Sequence, residues 1–254
     1  MIKLYVSVPT NGVVADSQLF FWKRAEAKYK DLIEFIWPSH CVRRIFHDFA
    51  RNAHAEDFLK SEADIWFQLD SDVVPPDDIF DIVLENEKWD CAGGCYPVFM
   101  TPSGVDRPQV VFTVYKGRGK NGFQAANIPQ SGVDYVDGLG TGCMFIKRHV
   151  LEKMQKPYFE FKYEPENRHM IEGEDLGFCM KVVDMGFKFY VDYAMTCKHY
   201  KSVCLLDVSN YAQEFAGRSI QQYEAMIRPQ VQMLEQALKK KRVSGLVDPR
   251  GKQV

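Results

Sequence analysis

The sequence predicts an α/β fold, with a mixed, mostly parallel β-sheet and flanking helices. Three observations carry that prediction. Short β-branched runs alternate with amphipathic stretches of helical period, as in residues 2–8, 16–30 and 32–37. Each run closes on turn-forming residues, Pro9-Thr10-Asn11-Gly12 after the first and Pro38 after the second. The third run, residues 64–69, closes on Asp70-Ser71-Asp72, and the ligand-facing loops of parallel sheets lie at such carboxyl ends.

Residues 2–8 form the first strand, and Asp16 or Ser17 can cap the helix that follows, because a short side-chain oxygen accepts an otherwise orphaned N–H. Residues 32–37 are the second strand. Ser39 then opens a long amphipathic helix with Val42, Ile45, Phe46, Phe49, Ala50 and Ala53 on its apolar stripe. That phasing puts Arg51 opposite the stripe, on the solvent side, and Asn52 at the stripe's edge. Pro75-Pro76-Asp77-Asp78 suits a helix N-terminus, which tolerates proline and attracts carboxylates. From Trp89 to Gly140, short strands such as residues 110–115 alternate with Gly, Pro and Asn loops, as in an antiparallel extension. After Gly173 a helix runs to Met185, with a strand at 187–191. From Asp207 the chain is mostly helical and ends in a basic tail with Lys239-Lys240-Lys241-Arg242. The expected division is a main domain over 1–205 and a C-terminal helical extension over 206–254.

Composition narrows the function classes. The 32 Lys and Arg against 34 Asp and Glu give a net charge of −2, so an acidic partner must be met by a local patch. No run reaches the ~20 apolar residues of a membrane span, and residues 1–8 are too short and strand-like for a signal peptide. Seven cysteines without a framework fit a reducing cytosol, which makes the expected location cytoplasmic. Cys91-x3-Cys95 and Cys197-x-His199 do not complete a four-ligand zinc set.

Four constellations carry chemistry. Strand side chains repeat every two residues, so Asp70 and Asp72 are expected on the same side, where two like charges call for a cation. Hard oxygen ligands at that spacing suit Mg2+ or Mn2+, which can in turn hold a diphosphate. The same pair also reads as a turn cap ahead of Pro75. Gly138, Gly140 and Gly142 alternate before the apolar run Cys143-Met144-Phe145-Ile146, which admits a ligand close to the backbone or marks a bulged strand entry. Glu172, Glu174 and Asp175 surround Gly173; the last two begin a helix, and one can act as a base or accept a sugar hydroxyl. His199 follows the last sheet strand, and its imidazole can complete a metal shell begun by Asp72.

In this order, the four constellations resemble glycosyltransferases of the GT-A fold, over residues 2–200. Ala50-Arg51-Asn52 is similar to a segment found ahead of the Asp-x-Asp strand in many such enzymes. The resemblance implies a Rossmann-like half that binds a nucleotide sugar, a UDP-sugar by preference. Pro9, Thr10 and Asn11 would face the nucleotide base, Asn52 and Ser71 would also contact the donor, Asp70 would meet its ribose or the metal through water, and Gly138 and Gly140 would line the sugar pocket. Asp70, Asp72 and His199 would hold Mn2+ or Mg2+. Asp175, with Glu174, would serve as the base if the reaction inverts the anomeric centre, and would orient the sugar if it retains it.

The compact size and the basic segments resemble small phage-encoded members that glycosylate hydroxymethylated pyrimidines in DNA. Lys116, Arg118 and Lys120 in a glycine-rich loop, with the tail at 239–242, could then meet phosphates, and Phe123 could stack. A solvated hairpin tip is the alternative for the loop, and a polysaccharide or small molecule the alternative acceptor. A nucleotidyltransferase would share the parallel sheet, but residues 9–14 lack the basic loop it needs. A non-catalytic metal- or sugar-binding module has no use for Glu174-Asp175 beside a metal motif.

Overall fold

A computed structural model of the chain describes residues 1–10, 14–38, 46–85, 88–100, 109–119, 122–125, 132–163, 166, 170–201 and 217. Contacts divide the chain into Met1–Tyr200 and Lys201–Val254, and the fold below is that of the first unit. The helical extension expected from Asp207 and the tail at 239–242 lie outside the described residues, as do Asn11 and Lys120.

The first third follows the alternation of the sequence: β1 (Ile2–Ser7), α1 (Asp16–Tyr29), β2 (Ile33–Ile36), α2 (His47–Lys60), β3 (Ile65–Leu69), β4 (Val73–Val74) and α3 (Asp81–Glu85). Next come β5 (Cys91–Gly93), β6 (Pro97–Met100), β7 (Gln109–Phe112), β8 (Val114–Gly119), β9 (Gly122–Ala125), β10 (Val133–Val136), β11 (Gly138–Leu139) and β12 (Cys143–Lys147). The chain then forms α4 (Arg148–Lys153), β13 (Lys162–Tyr163), β14 (Met170–Glu172), α5 (Glu174–Asp184), β15 (Phe189–Asp192) and β16 (Lys198–His199).

Seven strands make the main sheet, in the order β10-β15-β5-β12-β3-β1-β2. β1 is parallel to β2 and β3, and β5 to β15, whereas β12 runs antiparallel to both its neighbours and β10 to β15. Five of the seven therefore point the same way, the mixed α/β sheet that the alternation predicts. β3, buried at every residue, is apolar except for Gln68, because helices cover both its faces. Leu4, Val6, Ile65, Phe67, Leu69 and Phe145 pack with Phe21 and Trp22 of α1 and Ile82 of α3. Trp66, Met144, Ile146 and Phe189 pack with Phe58 of α2, Leu151 of α4 and Phe178 of α5 on the other face. Burying a side chain of this kind contributes roughly 1.5–3 kcal/mol.

The middle of the chain makes small antiparallel sheets, β6 with β7 and β8 with β9 and β11. The single strand expected at 110–115 is two strands broken at Thr113, whose N–H bonds Tyr96 O. β16 pairs antiparallel with β4, His199 opposite Val73, and so returns the chain to the end of β3.

Two local expectations are corrected. The helix expected from Pro75 begins at Asp81, after a turn at 77–80. In α2, Phe46 and Phe49 are 83% and 61% exposed, while Ala50, Arg51, His54, Ala55 and Phe58 are buried. The stripe extrapolated from Val42 and Ile45, which lie outside the described residues, is out of phase with α2 because Phe46 has extended backbone and helical phase starts at His47. Arg148 fixes the far end of α2, donating to the carbonyls of Phe58, Leu59, Ser61 and Ala63. These carbonyls at and beyond the helix end carry the negative pole, so the cation is placed where it stabilises most.

Candidate active site

The end of β3 is held rigid by its neighbours. Val73 N–H closes a turn on Asp70 O at 3.0 Å, and Asp70 N–H donates to Gly142 O of the adjacent segment at 2.9 Å. Gln18 of α1, 1% exposed, donates to Asp70 O and Val73 O at 2.9 and 2.8 Å. Ala15 N–H bonds Ser71 O, and Tyr200 N–H bonds Asp72 O, so each residue of the Asp-x-Asp turn is tied through its backbone. Such preorganisation removes the entropy of ordering a binding loop.

That turn also changes where the carboxylates go. Strand parity puts both on one side, but the strand ends at Leu69. Asp70 keeps the parity of Trp66 and Gln68 and turns to the α2 face, where Arg51 meets it with N–O distances of 3.0 and 3.4 Å. Asp72, beyond the bend, lies with its Oδ2 3.6 Å from His199 Nε2. The expected pair is thus split between two partners.

Arg51 is 3% exposed and also donates to Glu174 Oε1 at 3.4 Å. Burial works against its charge, but Asp70 and Glu174 more than offset it and keep the guanidinium protonated. The solvent-side placement expected for Arg51 is therefore wrong: two carboxylates far apart in sequence make its burial affordable. Glu174 and Asp175 open α5, as predicted, and Asp175 Oδ1 accepts from Leu176 N–H at 2.8 Å. Burial and the neighbouring Glu174 raise the Asp175 carboxyl above the ordinary carboxylate range.

Tyr96 connects the two halves. Its ring meets that of His199 edge-on, with centroids 5.1 Å apart, and its hydroxyl accepts from Gly142 N–H at 2.9 Å. A Cβ at Gly140 would lie 2.5 Å from that hydroxyl oxygen; at Gly142 it would lie 2.7 Å from the same oxygen and 2.9 Å from Asp70 Oδ2. The close approach that these glycines permit is thus filled, in this structure, by Tyr96. Burial, with Asp70 and Asp175 nearby, holds the phenol well above its usual range, so it is protonated. Gly138 is buried in β11, opposite Tyr115.

Among the described residues no three His, Cys, Asp or Glu side chains converge as metal ligands. Asp72 and His199 do suit one ion together. His199 Nδ1 lies 2.7 Å from Pro97 O, a carbonyl that can only accept, so Nδ1 carries the proton. That leaves Nε2 as the ring nitrogen facing the Asp72 carboxylate, 3.6 Å from its Oδ2, so a cation between them could take both as ligands. Two protein ligands leave positions for phosphate oxygens and water.

Several residues expected at the site have other placements. Asn52 donates to Asp48 O and Phe159 O at 2.8 and 2.7 Å, and its Oδ1 accepts from Tyr158 N–H and Phe159 N–H. All four hydrogen-bonding positions of the amide are engaged by backbone. Pro9, buried, and Thr10, half-buried, do follow β1 at its carboxyl end, where the sequence places them. Lys116 is within β8 rather than in a loop, and it is ion-paired with Asp134. Gln18 and Tyr96 carry no sequence signal: each lies on a different element from the group it holds.

No family model matches the chain, and no curated protein matches it. Among solved structures, A197 from STIV is similar with a TM-score of 0.51 and 22% identity, covering 80% of this chain and 87% of that one. That likeness shows a shared fold. GalNAc-T7 with UDP, GalNAc and Mn2+ aligns at a TM-score of 0.47 and 9% identity, over 80% of this chain and 43% of that one. The inositol-1-phosphate CTP transferase from T. maritima aligns at 0.42 and 14%, over 80% and 90%.

Proposed function

We propose that this chain is a metal-dependent glycosyltransferase of the GT-A type, moving a sugar from a nucleoside diphosphate sugar, a UDP-sugar by preference, to an acceptor hydroxyl. The observation that carries the reading is the meeting, at the carboxyl end of β3, of Asp72 and His199 with the Arg51–Asp70–Glu174 network and Asp175. A metal-dependent inverting transfer uses a cation for the diphosphate and a carboxylate for the acceptor proton, and side chains suited to both roles support the reading.

Asp72 and His199 would hold Mn2+ or Mg2+, which would offset the charge that grows on the leaving diphosphate. Arg51, committed to Asp70 and Glu174, fixes the placement of both side chains. In an inverting transfer Asp175 accepts the acceptor proton at a carboxylate oxygen. Its raised affinity for protons brings it nearer the working pH, where a general base contributes ~10²–10⁴-fold. The turn at 70–73 is already held by backbone hydrogen bonds, so this segment need not be ordered when the donor arrives.

The test is a screen of nucleotide sugars for Mn2+-dependent hydrolysis, which needs no known acceptor, with Asp72→Ala as the control. Hydrolysis of one donor, lost in the variant, supports the reading; no hydrolysis of any donor refutes it. The finer reading, a hydroxymethylated base in DNA as acceptor, is then decided by offering labelled donor to modified duplex, unmodified duplex and oligosaccharides. Label on the modified duplex alone supports DNA, and label on saccharide alone removes it.

A further inference from the structure

We infer that Arg51 is a positioning residue that couples the carboxyl end of β3 to the first turn of α5, so that the state of Asp70 is transmitted to Glu174 and Asp175. The functional half of this inference rests on the transferase reading; its physical half does not.

One guanidinium, 3% exposed, bonds both sides. Nη1 and Nη2 reach Asp70 at 3.0 and 3.4 Å, and Nε reaches Glu174 at 3.4 Å. The planar fork makes this possible: three nitrogens on one rigid frame address two carboxylates in fixed directions, which an ammonium cannot do. The side chains bridged are themselves shielded, with Glu174 12% and Asp70 22% exposed, so little water is present to screen them. Both ends are otherwise firmly placed. Asp70 is anchored through its backbone to Gly142 and Gln18, and α5 begins directly at Glu174, beside Asp175. A ligand that draws on Asp70 must therefore alter its share of the Arg51 fork, and Glu174 is the other claimant. Donor occupancy would in this way set the carboxylates that meet the acceptor.

Two measurements test it, both on the full chain. The first needs no ligand: hydrogen exchange of the amides at 174–177 is followed on introducing Asp70→Asn, once into the parent protein and once into the Arg51→Lys variant. The expected result is exchange at least fivefold faster in the parent background and a change under twofold in the Arg51→Lys background, while α1 exchanges alike in all four proteins. Equal responses in the two backgrounds, or a response spread equally over α1, would overturn the inference. The second compares transfer with donor hydrolysis. Arg51→Lys keeps the charge but loses the fork, so transfer should fall at least tenfold further than hydrolysis, and Glu174→Gln should give the same split. The double variant should be no worse than either single one, since both cut the same link. A uniform fall in both rates would reduce Arg51 to a structural role and overturn the inference. If no donor is hydrolysed by the parent protein, the transferase reading fails, and the exchange measurement alone decides the coupling.

Discussion

Replacing Asn52 by alanine removes four hydrogen bonds, three of them across the seam between α2 and residues 158–159. One of the partners, Asp48 O, keeps the helical N–H of residue 52. Three others, Tyr158 N–H, Phe159 N–H and Phe159 O, lose the amide that faces them. At ~1 kcal/mol for a neutral bond, and more where water cannot enter, the expected loss is about 3 kcal/mol of unfolding free energy. Urea denaturation followed by tryptophan fluorescence measures it as a lower midpoint with an unchanged slope. Nucleotide binding, measured well below the new melting temperature, should change by less than threefold, because the amide has no position left for a ligand. An unchanged midpoint together with a tenfold loss of nucleotide affinity would refute the reasoning and return Asn52 to the ligand contacts that its sequence neighbourhood suggests.

Gly142→Ala places a methyl group 2.7 Å from the Tyr96 hydroxyl and 2.9 Å from Asp70 Oδ2, so a loss of about 1–3 kcal/mol is expected from overpacking, read by thermal unfolding. Tyr96→Phe leaves Gly142 N–H without its acceptor and should cost about 1–2 kcal/mol, while the edge contact on His199 survives; a neutral result would show that water replaces the phenol. Asp175→Asn should lower turnover by ~10²–10⁴-fold with little change in donor affinity, as determined by steady-state kinetics and calorimetry. The same variant should melt higher than the parent at pH 7. Burial and Glu174 raise the folded-state affinity of Asp175 for its proton, so the ionised carboxyl destabilises the fold above that raised value and not below the ordinary one. The difference should shrink as the pH is lowered toward ~4, and a difference that grows on acidification would contradict the assignment.

The main alternation of strands and helices was legible in the sequence because it rests on local periodicity. The apolar run into Asp70, the helix opening at Glu174 and the breaks at Pro9 and Pro38 each depend on neighbours a few residues away. Tertiary structure alone decided what those side chains meet. Arg51 reads as a solvent-side residue because helical phase was carried over from residues 39–46; its burial depends on carboxylates 19 and 123 positions away. Tyr96 occupies space that alternating glycines leave for any group, and nothing in glycine specifies which group enters. Asp72 parts from Asp70 because a hydrogen-bonded turn ends the strand, and His199 meets it because β16 pairs back on β4. Local pattern sets the direction in which a side chain leaves the backbone, whereas the partner that neutralises a buried charge is chosen among groups brought together only when the sheet and helices pack.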